Sequence, residues 1–206
     1  EPRLAYDRVH LTEYFTGKSA KDLTLCRADF ADAYGIDLRL NTKATDIDTC
    51  NKCITTNHGD VISYDKLVLA TGSYAFVPPI SGHDRNNCFV YRTIDDLDAI
   101  RAASLSAKSG VVIGGGLLGL EAAKAHRDLD LETHVVEFAP RLMAVQIDDL
   151  GGKVLRAKIE NLGVKVHTQK ATSSIEEGVN STHVMKFADG SELETDIILF
   201  SSGIRP

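Results

Sequence analysis

Three glycines raise the first chemical question. Gly114, Gly116 and Gly119 occur in "VVIGGGLLGLEAA" with the spacing G-x-G-x-x-G, and Gly115 adds a further glycine. The stretch follows an apolar, strand-like run and opens a helical one. In that setting the first glycine permits a tight strand-to-helix turn. The second lets the backbone approach a diphosphate, and the third lets the helix pack closely on its strand. A helix beginning at Leu117 and Leu118 then aims free N–H groups and a positive dipole end at phosphate oxygens. Glu137 stands 18 residues after Gly119, at the end of "THVVEF". A carboxylate there accepts hydrogen bonds from the adenosine ribose hydroxyls and repels a 2′-phosphate, so NADH is expected over NADPH. Arg141 works against that preference, because a nearby arginine is what 2′-phosphate sites use.

A nicotinamide needs a hydride acceptor within about 3–3.5 Å. No histidine–aspartate pair of the dehydrogenase kind is apparent in this half of the chain. His126, His134 and His167 fall in helix or strand patterns that give them structural roles. The expected acceptor is therefore a second cofactor, held by the residues that precede the glycine turn.

The elements that position these residues alternate. Thr93 and Asp96 form a capping-box pattern ahead of "IDDLDAI". Strand "GVVIGG", helix "LLGLEAAKAHRDL", strand "ETHVVEF", helix "DDLGGKVLRAKIENLG" and strand "VKVHT" then give a βαβαβ order. That order predicts an α/β fold with a parallel, Rossmann-like sheet and right-handed crossovers. Antiparallel strands are expected afterwards around "SSIEEG", "HVMKFADGSEL" and "DIILFSSG", with Asp189-Gly190 as a hairpin turn. Upstream, "KDLTLCRADFADAYG" predicts a helix ending at Gly35. "IDLRL", "ATDID", "CITTN" and "VISYD" predict short strands. "KLVLATG" is a continuous apolar run, as buried parallel strands are. "SYAFVPPISG" reads as a connector.

Composition narrows the function classes. The 206 residues are 43% hydrophobic and 25% charged, with a net charge of −6. An acidic chain lacks the basic face that nucleic-acid binding requires. No apolar run reaches the roughly 18 residues of a spanning helix, so no membrane role is expected. Cys26, Cys50, Cys53 and Cys88 read as reduced thiols of a cytoplasmic protein. "CNKC" lies between two strand-like runs with no helix after it, so a hairpin turn is expected there, not a redox or zinc motif. No metal site is expected.

The ordered motifs "EPRLAYDRVHL", "YDKLVLATGS", "RTIDDLDAI", "VVIGGGLLGLEAA", "HVVEFAPRLM" and "FADGSELETDIILFSSGIRP" together resemble the pyridine nucleotide–disulfide oxidoreductase superfamily. The resemblance covers essentially the whole chain. It implies an FAD domain interrupted by an NAD domain, with hydride passing from nicotinamide to flavin. "AYDRVHL", "DKLVLATGSY" and "ETHVVEFAPRLMA" bring the likeness closer to the flavin/NADH modules of the nitrite reductase branch. That branch implies onward electron transfer to a sirohaem and an iron–sulfur centre. Reductases for rubredoxin or ferredoxin are the alternative, and a non-catalytic NADH-binding module is a further one.

By the same resemblance, Glu1 takes the place of the acid on the FAD adenosine ribose, and Arg8 that of the arginine along the FAD diphosphate. Ala44 matches a position touching the adenine. Thr71 and Gly72 match a turn beside the flavin, and Arg92 an arginine near the domain hinge. Gly203 corresponds to a second glycine turn near the dinucleotide. Glu121 matches an acid near the nicotinamide and is the candidate catalytic residue. Its usual lysine partner falls at Glu13 here, which leaves Lys18 as a substitute or the nicotinamide placed by other contacts. The implied organisation is a partial FAD domain over 1–92, an NAD domain over 93–200 and a return toward the FAD domain over 201–206. The FAD part lacks its front strand and glycine turn, so this chain is expected to hold NADH weakly and FAD poorly. The implied partners are NADH, the remainder of a parent chain, and a small subunit or electron-carrier protein.

Overall fold

The computed structural model describes all of residues 1–206. The chain folds as two compact units, Glu1–Val9 with Ser19–Gly72, and His10–Lys18 with Ser73–Pro206. The boundary between them thus falls at Gly72, twenty residues before Arg92.

The first unit contains α1 (Phe30–Ala33) and three antiparallel strands, β1 (Ala44–Asp48), β2 (Cys53–Thr56) and β3 (Val61–Ser63), in that order. The hairpin turn at "CNKC" is present. The Asp48 carboxylate accepts the amides of Cys50 and Asn51, each at 2.9 Å, and Lys52 takes a left-handed conformation with φ +50°. Three other expectations fail here. The helix predicted over 21–35 is reduced to the four residues of α1. Leu25 N–H donates to Ala5 O at 2.9 Å and Asp7 N–H to Leu23 O at 2.8 Å, so the backbone at 23–25 is paired in extended form and no helix runs through it. "IDLRL" forms no strand. "KLVLATG" is neither a strand nor buried, with Val68 85% and Leu69 66% exposed. A strand exists only through its partners, and the antiparallel sheet β1–β2–β3 does not take this run in.

The second unit begins with a 3₁₀ turn, Leu11–Thr16. It continues through β4 (Tyr74–Ala75), β5 (Cys88–Val90), α2 (Ile94–Ser104), β6 (Ser109–Ile113), α3 (Leu117–Asp128), β7 (Glu132–Val136), α4 (Asp149–Asn161) and β8 (Val164–His167). Four strands, β9 (Thr172–Glu177), β10 (His183–Phe187), β11 (Glu192–Thr195) and β12 (Ile197–Phe200), precede a short final β13 (Ile204–Arg205). The capping box forms as expected. Thr93 accepts from Asp96 N–H, the Asp96 carboxylate accepts from Thr93 N–H at 2.7 Å, and Ile94, Leu97 and Ile100 are buried.

Five parallel strands make the main sheet, in the order β5-β12-β6-β7-β8. β9, β10 and β11 make a separate antiparallel sheet, with Asp189-Gly190 turning β10 into β11. Here one expectation is corrected. "DIILF" does not extend the antiparallel set; β12 inserts between β5 and β6 and runs parallel to both. Burial explains the difference. All four β12 residues are buried, as in a strand covered on both faces, whereas β10 alternates buried and half-buried as a one-sided strand does. Val111, Ile113, Val136, Ile198 and Phe200 pack with Ile175, Met185 and Phe187 in one core, so the small sheet closes against the large one.

Candidate functional site: a dinucleotide cavity

The glycine turn lies between β6 and α3 in the geometry its sequence requires. Gly114 has φ +121°, and a Cβ added there would meet Ser201 O at 2.3 Å. A Cβ on Gly119 would stand 1.9 Å from Gly114 O, so only a bare Cα lets α3 approach this closely. Gly116 differs: nothing lies within 4 Å of its Cβ position. Its backbone faces open space, which is what a diphosphate cradle needs. The first bond of α3 runs from Leu120 N–H to Gly116 O at 3.0 Å, and Gly116 supplies no side-chain cap to the preceding amides. Those amides and the helix dipole remain available to an anion.

A cavity of about 740 Å³ opens over this turn. Gly114, Gly116, Leu117 and Leu118 form one wall, and Val136, Glu137 and Phe138 continue it from the end of β7. Lys170, Ala171 and Thr172 close the side beyond β8, and Ser201, Ser202 and Gly203 close the side beyond β12. Gly203 has φ +112° with no atom near its Cβ position. The Glu137 carboxylate is aimed by two backbone amides. Its Oε2 accepts from Gly115 N–H at 2.5 Å and its Oε1 from Ala139 N–H at 2.7 Å. The acid and the glycine turn are thereby one rigid constellation. A cradle open at Gly116 and a pre-aimed carboxylate together fit a nicotinamide dinucleotide.

Arg141 stands apart from this wall. Its Nε donates to Ile147 O at 3.0 Å, its Nη2 to Ala144 O at 3.1 Å, and its Nη1 pairs with Asp149 at 2.7 Å. The guanidinium is engaged in bracing the 144–149 loop, which counters the expectation that it offsets Glu137. Glu121 lies half-buried one turn into α3. Tyr91, which stacks on Phe15 at 6.5 Å, has its hydroxyl pushed up from the usual tyrosine range, first by burial and then by the Glu121 charge. Lys18 forms an ion pair with Glu13. The three histidines sit in the scaffold. His126 is fully buried on α3, and burial holds its pKa down to about 4. His134 Nδ1 lies 3.0 Å from His167 Nε2 across β7 and β8, and burial lowers both.

The residues matched to a flavin site are distributed as follows. In the first unit, Arg8 pairs with Glu1 and lies 5.1 Å from the centroid of the Tyr6 ring. Ala44 is exposed at the start of β1, paired with Thr56. Thr71 and Gly72 are exposed, and Gly72 has φ +69° with nothing within 4 Å of its Cβ position. In the second unit, Arg92 donates from Nη2 to Ser73 Oγ at 2.7 Å, while its buried Nε has no partner. Within the first unit the Gly72 turn is unobstructed; within the second, the Arg92 Nε is a buried donor free to meet an anion.

Sequence reasoning missed Lys170 and Thr172 in the cavity wall. Lys170 had one available signal, because it follows β8 as Glu137 follows β7. The Thr172 hydroxyl is buried without a partner, which nothing in the sequence marks.

A parallel sheet, a glycine turn and an aimed acid beside a dinucleotide-sized cavity define a Rossmann-type nucleotide-binding protein. The family described as pyridine nucleotide-disulphide oxidoreductase matches residues 1–206, and the chain belongs to it. Among its relatives, the NADH nitrite reductase large subunit of Escherichia coli (strain K12) is 54% identical over 100% of this chain and 24% of its own length. The NAD(P)H nitrite reductase large subunit of Klebsiella oxytoca is 57% identical over 98% of this chain and 21% of its own. The chain thus spans less than about a quarter of the length of these two relatives. Among solved structures, a ferredoxin reductase from Rhodopseudomonas palustris superposes with a TM-score of 0.92 at 27% identity, covering 100% of this chain and 51% of that one. No helix of the structure is long and apolar enough to cross a membrane.

Proposed function

We propose that this chain is the NADH-oxidising flavoprotein portion of a nitrite reductase. Hydride passes from NADH to FAD, and electrons continue to a sirohaem and an iron–sulfur centre elsewhere in the parent chain, where nitrite is reduced to ammonia. The observation that carries the reading is the glycine turn, Glu137 and Gly203 around one cavity. The high identity to nitrite reductase large subunits along this chain supports the choice of branch.

In this reading the amides at the start of α3 bind the NADH diphosphate, and Glu137 accepts from the adenosine ribose hydroxyls. Repulsion between Glu137 and a 2′-phosphate favours NADH over NADPH. Glu121 stands beside the nicotinamide and orients it. Glu1, Arg8, Ala44, Thr71, Gly72 and Arg92 hold the flavin nucleotide, so that 1–92 serves the FAD part, 93–200 the NAD part and 201–206 the return between them. FAD, when bound, accepts a hydride and passes electrons on singly. The protein supplies binding, orientation and exclusion of water. The module works in the cytoplasm, with a small subunit or an electron carrier as further partner.

The second reading, a reductase for rubredoxin or ferredoxin, draws on the close superposition with the ferredoxin reductase. One spectrum separates the two. Flavin and sirohaem bands in the intact parent protein, all bleaching on anaerobic addition of NADH, are expected. Flavin bands alone would move the assignment to the small-carrier reductases, and no bleaching at all would remove both.

A further inference from the structure

Only two charged side chains line the nucleotide cavity, Glu137 and Lys170. They lie on neighbouring stretches of chain, since Lys170 N–H donates to Glu137 O at 3.1 Å. The Lys170 ammonium is not loose. Its Nζ lies 2.5 Å from Asp189 Oδ2 and 2.7 Å from Ser191 Oγ, and 5.4 Å from the centroid of the Phe187 ring. Asp189 in turn fixes Ser191, accepting its hydroxyl at 2.6 Å and its amide at 3.0 Å through Oδ1. An ammonium carries three donors. Two are engaged by the β10–β11 turn, and one remains for the cavity.

We infer that Lys170 reads the adenosine end of the dinucleotide, and that Asp189 and Ser191 set its reach, so that the three residues tune NADH against NADPH. The inference rests on the nucleotide-binding reading above and extends it to residues outside the glycine-turn motif. A 2′-phosphate brings a charge of about −1.5 to −2 to the neighbourhood of Glu137. Arg141 is committed to its own loop, so Lys170 is the one cation in the wall that can answer that charge. Asp189 already neutralises it. The preference for NADH therefore depends on the hairpin turn as well as on Glu137. A lysine is a flexible point charge rather than a rigid fork, so its reach is set by what holds it.

The test measures dissociation constants of NADH and NADPH, by nucleotide fluorescence, for the wild type, Asp189→Asn, Lys170→Met and the double variant. Asp189→Asn is expected to improve NADPH binding about fivefold relative to NADH, the scale of one partly exposed ion pair. Lys170→Met is expected to weaken NADPH by a similar factor while moving NADH by less than about twofold. The double variant should behave as Lys170→Met, and Lys170→Arg should keep most of the wild-type ratio. Equal losses for both nucleotides in Lys170→Met, with a lowered melting temperature, would mean a structural lysine and overturn the inference. An unchanged ratio in Asp189→Asn and Lys170→Met alike would also overturn it. Failure of the wild type to bind either nucleotide would overturn the nucleotide-binding reading together with it.

Discussion

Two runs of this chain look alike and end differently. "SGVVIGG" and "KLVLATG" are both continuous apolar stretches that enter a glycine, the pattern of a parallel strand feeding a turn. The first becomes β6, with Val111 and Val112 fully buried and strands on both sides. The second joins no sheet and stays exposed, with Val68 and Leu69 open to water. The residues are equally suited to a sheet; the difference lies in whether neighbouring strands are there to accept their hydrogen bonds. A strand's apolar pattern states what the segment can do, and its partners decide whether it does.

Substitutions can break or sharpen that contrast. Leu199, wholly buried in β12, is expected to cost about 2–5 kcal/mol when replaced by alanine, measured by denaturant unfolding. A cost under about 1 kcal/mol would mean that β12 is not the core strand described. Acid is the next largest lever, and it should act on the second unit. His126 is held neutral down to about pH 4 by burial, whereas an unfolded histidine takes up its proton near pH 6.5. Between those values the unfolded state binds more protons, so stability falls as pH falls through that window and is unaffected above it. The full loss is on the order of 3 kcal/mol. His126→Leu should flatten this stretch of the stability–pH curve, and an unaltered curve would place the effect elsewhere.

A smaller effect is expected at the turn itself. Gly119→Ala must move α3 away from Gly114 O and should cost about 1–3 kcal/mol as an overpacked contact. NADH binding should weaken along with it if, as proposed, the displaced amides bind the diphosphate; unchanged affinity would argue against that role. The smallest effect closes the comparison. Leu69→Ala, the same change of residue type as at Leu199, should shift stability by no more than about 0.5 kcal/mol. A loss comparable to that at Leu199 would show that the "KLVLATG" run is packed after all.

Much of the second unit was legible because its signals are local. The capping box at Thr93 and Asp96, the turn at Asp189-Gly190 and the β6-turn-α3-β7 sequence each depend on residues a few positions apart. Glu137 was legible for the same reason, since the end of the strand after the glycine turn returns beside it in this topology. What failed in the first unit failed against distant competition. The propensity for helix over 21–35 lost to a non-local pairing of residues 5–7 with 23–25, which offers backbone partners that a short, exposed helix does not match.

By itself, then, the sequence determined the dinucleotide turn, the acid that faces it and the alternating order of strands and helices, because each is encoded in short-range spacing. Only the tertiary structure decided that β12 enters the parallel sheet, that Arg141 braces a loop outside the cavity wall, and that Lys170 reaches the cavity on a tether from a distant hairpin. Those outcomes turn on which of several competing partners a strand edge or a long charged side chain meets. That competition is settled by packing between segments far apart in the chain, where the spacing of residues carries no signal.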